Sequence, residues 1–514
     1  MNPTNRRQFL SDVSRGMLVA GLGSSLAADL GFSTAYAEEG AESIHLGEHA
    51  PLVELLQSTP AEKLQPILAD KLRRGETDLR KLIAAGALAN AQTFGGHDYV
   101  GFHTAMAMLP ALEMTKLLSS ARQPLPVFKV LYRNSQQIQQ CGGASKKSLE
   151  ALHAEEHAES NIGIQIRDAC RDTDIGRAEK LLAGVSDSPQ SAFNALQPAV
   201  QDDINVHRFV FAHRTYGLVG LLGKEYAHTL LRQCVRLCVD HEQEHIRGKH
   251  APSPIRALMP KLFDQYKLAG ATFGKRDPGD AAIDELSRTI YNGPSERSAE
   301  AAAAALAEGI DPESVGEAIS LASNLLALRQ GPENWRTHGD SAGVHSSDAT
   351  NAWRNMARVT DTRHAIAGLI VAAYHSAWYK SFSGEMYPTE AHRALVKAKD
   401  AATLLAEAED AIRHNDQGRA AAAIYVYGAE GHAPEAVFDL MLKYAVSEDG
   451  RLHGEKYFHT VREEFRTIRP AFRWRQMVSL ARVTASGFGY NREDKSGFRA
   501  AGYEEACRLL GVEA

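Results

Sequence analysis

The chain has 514 residues, with 57 Lys and Arg against 63 Asp and Glu, so its net charge is -6. The chain therefore lacks the excess of basic residues that is typical of proteins that bind nucleic acid or an anionic membrane surface. Hydrophobic residues make up 44% of the chain, which is enough for packed cores, and the length predicts several structural units rather than one.

The first element in chain order is an N-terminal export pattern. The pair Arg6-Arg7 is followed by Gln8-Phe9-Leu10, and a weakly apolar stretch runs from Met17 to about Ala28. The segment ends at Ala35-Tyr36-Ala37, which has the small-x-small pattern of a cleavage site. This order resembles a twin-arginine signal peptide. The resemblance implies a signal peptide over residues 1–37, the twin-arginine translocase as a partner during export, and a folded protein in the periplasm. The apolar stretch is too short and glycine-rich for a membrane span, which needs about 20 apolar residues.

Helical patterns follow almost throughout. Apolar residues recur at spacings of three and four in Glu300 to Ala307, Pro312 to Leu328, Arg363 to Tyr379 and Ala398 to Arg413. Asp311 before Pro312 is a helix start, with an aspartate cap and a proline in the first turn. Alternating apolar and polar runs are scarce, so the chain is expected to be all-α. No other long apolar run appears in the sequence, so the mature protein is expected to have no membrane span.

Breaks between helices are expected where glycine, proline and charge cluster, at Gly274 to Asp280 and at Asn292 to Ser295. After a linker at 38–60, we predict four helical units at 61–165, 166–275, 276–400 and 401–514. They are expected to be related repeats, curved or closed around a histidine-lined cavity.

The repeat is indicated by one motif that recurs four times: a turn, a histidine, and a second position six residues later. Two positions six apart on a straight helix point in different directions, so the first histidine is expected at the turn and the second on the helix. Four such units around an axis would gather up to seven imidazoles. The pairs are His97 and His103, His207 and His213, His345 and Asn351, and His453 and His459.

Imidazole is a common ligand of iron, copper, nickel and zinc, so these seven histidines are the predicted metal ligands. The resulting hypothesis is an exported oxidoreductase or oxygenase that acts on a small organic substrate with a transition metal, iron or copper being favoured and zinc possible. The alternative from another class is a helical-repeat protein without catalytic activity that binds a partner on its concave surface.

A second motif is His241-Glu242-Gln243-Glu244-His245, which matches His-Glu-x-x-His. On a helix, two histidines four apart can bind zinc while the glutamate acts as a base, so a zinc-dependent hydrolase is a further alternative. The polar residues between the histidines are atypical of such a buried helix.

The third unit carries a family resemblance. Val344 to Arg354, followed by Arg363-His364-Ala365 through Tyr379, resembles the questin oxidase-like family over about one unit in four. Members of that family are helical, histidine-bearing proteins, some of them linked to oxygenation of polyketides. The resemblance therefore implies oxidative chemistry on an organic molecule, without naming a catalytic residue.

Overall fold

A computed structural model describes residues 44–152, 161–185, 188–332, 341–379, 382–489 and 501–513. Within these ranges the regular structure is helical, and Arg276 and Ile310 form an isolated β bridge. The prediction of an all-α protein is confirmed. The predicted signal peptide lies outside the described residues, and among the described residues no helix is long and apolar enough to cross a membrane.

The first half of the described chain contains eleven α-helices. They are α1 (Ala50–Ser58), α2 (Ala61–Arg73), α3 (Leu79–Phe94), α4 (Tyr99–Thr115), α5 (Pro124–Gln140), α6 (Ile162–Arg171), α7 (Ile175–Ala183), α8 (Pro189–Val200), α9 (Val206–Leu222), α10 (Ala227–Arg247) and α11 (Ile255–Gln265).

The second half contributes twelve more described helices. They are α12 (Asp280–Asn292), α13 (Ser295–Ala307), α14 (Pro312–Arg329), α15 (Ala342–Ala357), α16 (Thr362–Trp378), α17 (Glu390–Leu395), α18 (Ala401–Arg413), α19 (Gln417–Ala429), α20 (Pro434–Val446), α21 (Arg451–Thr467), α22 (Arg473–Gly487) and α23 (Ala501–Leu510).

The helices predicted from apolar spacing are present, with ends that differ by a few residues. Helix α14 begins at Pro312 as expected, because the Asp311 side chain accepts the backbone N–H of Ser314. The predicted break at Gly274 to Asp280 leads into α12, and α12 ends at Asn292 before α13 begins at Ser295.

Four helices, α4, α9, α15 and α21, form an inner ring in which each contacts the next and α21 contacts α4. Each of these inner helices also packs against the helix before it and the helix after it. Polar side chains begin three of them, since Asp98, Asn205 and Ser341 accept backbone N–H groups at the first turns of α4, α9 and α15.

One apolar core joins the four predicted units. Buried hydrophobic side chains from Val53 in α1 to Cys507 in α23 belong to a single contiguous cluster. The units therefore share their core, while their boundaries and their relation as repeats stay predictions. The ring matters for function because it places the first turns of four helices around one axis.

Close packing between α14 and α15 depends on a glycine, and this gives the first prediction. A Cβ atom at Gly343 would lie 2.3 Å from the backbone nitrogen of Ala327, whereas a Cβ at Gly220 of α9 would meet nothing within 4 Å. Gly343→Ala is expected to lower the free energy of unfolding by about 1–3 kcal/mol, because the helices must move apart.

The matched variant Gly220→Ala is expected to raise that free energy by about 0.5–1 kcal/mol, since alanine favours the helix. Chemical denaturation of both variants checks the pair. Equal effects of the two substitutions would contradict the close approach of α14 and α15.

Candidate functional site

Four histidine rings meet at the beginning of the inner helices. The ring centroid of His103 lies 4.8 Å from that of His207 and 5.7 Å from that of His453, and the centroids of His453 and His345 are 5.3 Å apart. Each residue lies in the first two turns of its helix. Adjacent α4, α9, α15 and α21 therefore bring their N-terminal ends together, and we call these four residues the histidine cluster.

Hydrogen bonds determine which ring nitrogen carries the proton. The Nδ1 atoms of His103 and His345 lie 2.7 and 2.9 Å from the backbone carbonyl oxygen four residues earlier, and Nδ1 of His207 lies 3.1 Å from Oδ1 of Asn205. Because a carbonyl oxygen accepts but does not donate, Nδ1 of each ring donates its hydrogen and Nε2 keeps a lone pair. Among the described residues, the buried Nε2 atoms of His103 and His207 have no hydrogen-bond partner.

His103 and His345 are buried, His207 and His453 are partly buried, and the imidazoles of His103, His207 and His345 are neutral at neutral pH. Burial lowers the pKa of His103 and His207 well below its usual value and that of His345 to about 4. The positive charge of Lys456 acts in the same direction on all three rings. The rings of Tyr99 and His103 lie 4.2 Å apart, so an aromatic side chain covers one side of the cluster.

The structure changes which histidine of the first unit corresponds to the first histidines of the other three units. Sequence spacing equates His97 with His207, His345 and His453, but His103 is the residue of the first unit that joins the cluster. His97 precedes α4, and its Nδ1 forms a short contact with Oδ2 of Asp240. The physical reason is that His97 precedes the first residue of α4, whereas the four residues of the cluster lie within their helices.

The remaining predicted ligands lie further along the inner helices. His213 of α9 and His459 of α21 interact electrostatically with Glu463, and Nε2 of His459 lies 3.1 Å from its Oε1. Burial raises the pKa of Glu463, but the hydrogen bond and charge of His459 outweigh this effect and leave it lowered. Burial also lowers the pKa of His213 to about 3. These residues form a group separate from the cluster.

Asn351, which takes the place of the second histidine in the third unit, has a structural contact. Its side-chain amide donates to Oε1 of Glu464 at 3.0 Å, and Arg354 pairs with the same carboxylate. Asn351 therefore supports the packing of α15 on α21 and lies outside the histidine cluster.

Sequence reasoning missed Lys456, Asp348 and Arg214, which are almost completely buried. The charge of Lys456 acts on three rings of the cluster, and the charges of Asp348 and Arg214 act on Lys456. Burial lowers the pKa of Lys456 to about 8, and the charge of Asp348 opposes this shift. A signal was available, because Lys456 is three residues from both His453 and His459, and residues three apart are neighbours on a helix surface. Asp348 likewise follows His345 by three residues.

The His-Glu-x-x-His motif is engaged in ion pairs. Oε1 of Glu242 lies 2.6 Å from the guanidinium of Arg208 and also pairs with Arg256, while Nδ1 of His241 lies 3.3 Å from Nε of Arg208. Two guanidinium groups thus hold the carboxylate that a zinc hydrolase would use as a base. The motif has a structural explanation, and the geometry adds no support to the hydrolase hypothesis.

Neither the structure nor the comparisons with known proteins supply a direct precedent for the site. Within the described ranges, no group of three or more His, Cys, Asp or Glu side chains is already arranged to hold a metal ion. No protein-family model, curated protein or solved structure gives a significant match to this chain. Function must therefore be argued from the geometry and chemistry of the histidine cluster.

The ion pairs of Glu242 give a prediction about pH. Burial raises the pKa of Glu242, but the hydrogen bonds and charges of Arg256 and Arg208 outweigh it, so the pKa lies below 4.5. A depressed carboxyl pKa contributes stability that is present above the unfolded pKa and is lost as the pH falls through the folded one. Glu242→Gln is expected to cost about 3–5 kcal/mol at neutral pH, because it leaves buried guanidinium charge unpaired.

The same variant should also lose less stability than the wild type between neutral and acidic pH. Urea denaturation across this range, with the exposed Glu62→Gln as the control, measures both effects. Unchanged stability of Glu242→Gln would contradict the ion-pair explanation and would return attention to Glu242 as a base.

Proposed function

We propose that this protein is a metal-dependent oxidoreductase or oxygenase that acts on a small organic substrate. In this proposal His103, His207, His345 and His453 hold a transition metal, with iron or copper favoured and zinc possible. The observation that carries it is the set of three imidazoles, those of His103, His207 and His345, whose Nδ1 hydrogens are donated to carbonyl oxygens. Metal-binding histidines usually have this second-shell arrangement, which orients the ring and leaves Nε2 as the ligand atom.

The spacing of the rings fits a shared metal ion. Two imidazoles that bind one metal through nitrogens at about 2.1 Å hold their ring centroids roughly 5 Å apart. The measured separations of 4.8, 5.3 and 5.7 Å bracket that value. Binding would require the rings to turn so that their Nε2 atoms converge, since no group of three potential ligands is already arranged for a metal among the described residues.

Lys456 opposes a metal cation while its side chain is protonated. Its burial lowers the pKa to about 8, so release of that proton near neutral pH costs little free energy. The buried, neutral histidines need no deprotonation before they bind a metal. The electrostatics therefore favour metal binding at neutral pH over acidic pH.

The protein's own residues supply binding, orientation and proton transfer. A bound iron or copper would supply one-electron and dioxygen chemistry. Tyr99 and the neighbouring Phe102 cover the cluster and exclude water, and their rings lie 4.2 and 4.9 Å from that of His103. Lys456 and Asp348 lie beside the rings and can hold or release protons at Nζ and at the carboxylate.

The cellular setting belongs to the same proposal. The twin-arginine pattern of residues 1–37 supports export of the folded protein to the periplasm through the twin-arginine translocase. This route is consistent with a protein that acquires its metal before export. The resemblance of Val344 to Arg354 to the questin oxidase-like family supports oxidative chemistry. Export to the periplasm and oxidative chemistry both stay predictions.

Elemental analysis of the purified protein tests the proposal. We expect about one iron or copper per chain in the wild type and its loss in the double variant His103→Ala/His345→Ala, because two of four imidazole ligands are removed. The matched control is His97→Ala, which is expected to keep its metal because His97 contacts Asp240 instead of the cluster. Circular dichroism confirms that each variant is folded.

Other outcomes would overturn the proposal in recognisable ways. Metal lost in His97→Ala but kept in the double variant would contradict the assignment of the ligands. Zinc held in the double variant but lost in His241→Ala would favour the zinc hydrolase. A wild-type protein that binds no transition metal would favour the helical-repeat binding protein.

A further inference from the structure

Two buried cations beside the histidine cluster lack an ion-pair partner. The side chains of Lys456 and Arg214 are each 3% exposed. Among the described residues, neither has a carboxylate oxygen within salt-bridge distance, and the buried Nε of Arg214 has no hydrogen-bond partner. An unpaired charge in a protein interior is costly, so two together require an explanation.

Most other buried cations among the described residues are paired directly with a carboxylate. Lys129 and Glu455 lie 2.8 Å apart with both side chains 0% exposed, and Lys129 also donates to two backbone carbonyl oxygens. Arg208 lies 2.6 Å from Glu242, and Arg354 pairs with Glu464. Arg482, which is fully buried, donates to the backbone carbonyl oxygens of Ala327 and Gln330. Among the described residues, Lys456 and Arg214 have neither kind of partner, a carboxylate or a carbonyl oxygen.

Neighbouring carboxylates neutralise only part of the charge. Asp348 is 4% exposed and attracts both cations, but its buried Oδ1 has no hydrogen-bond partner in the described part of the chain. Glu463, which also attracts Arg214, is engaged by His459 at 3.1 Å. Lys456, Arg214 and Asp348 together carry one net positive charge when all three are ionised.

Helix geometry places these groups next to the cluster. Lys456 is about one turn beyond His453 on α21, and Arg214 is about two turns beyond His207 on α9. The four inner helices also direct the partial positive charge of their N-terminal ends towards the cluster. The buried surroundings of Lys456 and Arg214 are thus electropositive.

We propose that Lys456 and Arg214 bind the carboxylate group of a small organic acid, which makes a carboxylic acid the substrate class of the enzyme. A single negative charge matches the one net positive charge of the group. The planar guanidinium of Arg214 suits the two oxygens of a carboxylate, and the ammonium of Lys456 adds a point charge. The assignment of this acid as the substrate rests on the proposed function, whereas its binding does not.

Acetate binding to the metal-free protein tests the inference without a known substrate. We expect acetate to raise the unfolding temperature of the wild type more than chloride does at equal ionic strength. Arg214→Met and Lys456→Met are each expected to weaken acetate binding by about tenfold or more, because a buried charge partner of the ligand is lost. Isothermal titration gives the affinities, and Arg214→Lys is expected to keep part of the binding.

The stability of the variants separates a ligand site from a structural role. Without ligand, Arg214→Met and Lys456→Met are expected to unfold at a higher temperature than the wild type, because an unpaired buried charge is removed. The control Lys129→Met removes one partner of a buried pair and is expected to unfold at a lower temperature. Loss of stability in all three variants would indicate structural cations and overturn the inference.

The binding of acetate and phosphate and the metal content give further outcomes that decide between the proposals. Acetate that stabilises the wild type no more than chloride, or that binds the two methionine variants as it binds the wild type, would overturn the inference. Tighter binding of inorganic phosphate than of acetate would overturn the carboxylate assignment. Metal content of the protein as purified, measured before the metal is removed for the acetate experiment, separates the two proposals. Acetate binding by a protein that purifies without metal contradicts only the proposed function, and metal in a protein that does not bind acetate contradicts only this inference.

Discussion

The site depends on the convergence of four helix beginnings around one axis. Each inner helix contributes one histidine from its first two turns, and the rings lie close together because the N-terminal ends of α4, α9, α15 and α21 converge. Close packing maintains this arrangement, as the approach of α15 to α14 at Gly343 shows. A shift of any inner helix by one turn, about 5.4 Å, would remove its histidine from the cluster.

Burial then determines the chemistry of these side chains. Imidazoles that would be partly charged in water are neutral here because burial lowers their pKa, and carbonyl oxygens hold their Nδ1 hydrogens. The same burial lowers the pKa of Lys456 to about 8 and leaves Arg214 without a direct partner. Neutral imidazoles, which can bind a metal, thus occur in the same interior as unpaired cations, which can bind an anion. This combination is the basis for proposing a metal and an organic acid as the two ligands.

Much of the candidate site was visible in the sequence. The recurring motif selected His103, His207, His345 and His453 among its seven histidines, and the helical class followed from apolar spacing and capping residues. The expectation that the first histidine of each pair precedes its helix is confirmed for His97, which comes before the Asp98 cap of α4. It is wrong for His207, His345 and His453, because α9, α15 and α21 begin before these residues. Glu242 resembled a catalytic base until its contacts with Arg208 and Arg256 were seen.

Sequence alone determined the helices, because apolar periodicity, caps and breaks act over a few neighbouring residues. It also marked the histidines that recur at a helix start. Only the tertiary structure decided which of them meet, and that Lys456, Arg214 and Asp348 lie beside them, because these residues come from inner helices far apart in the chain. The relative height of packed helices is set by contacts across the whole core, and that information is absent from any single segment.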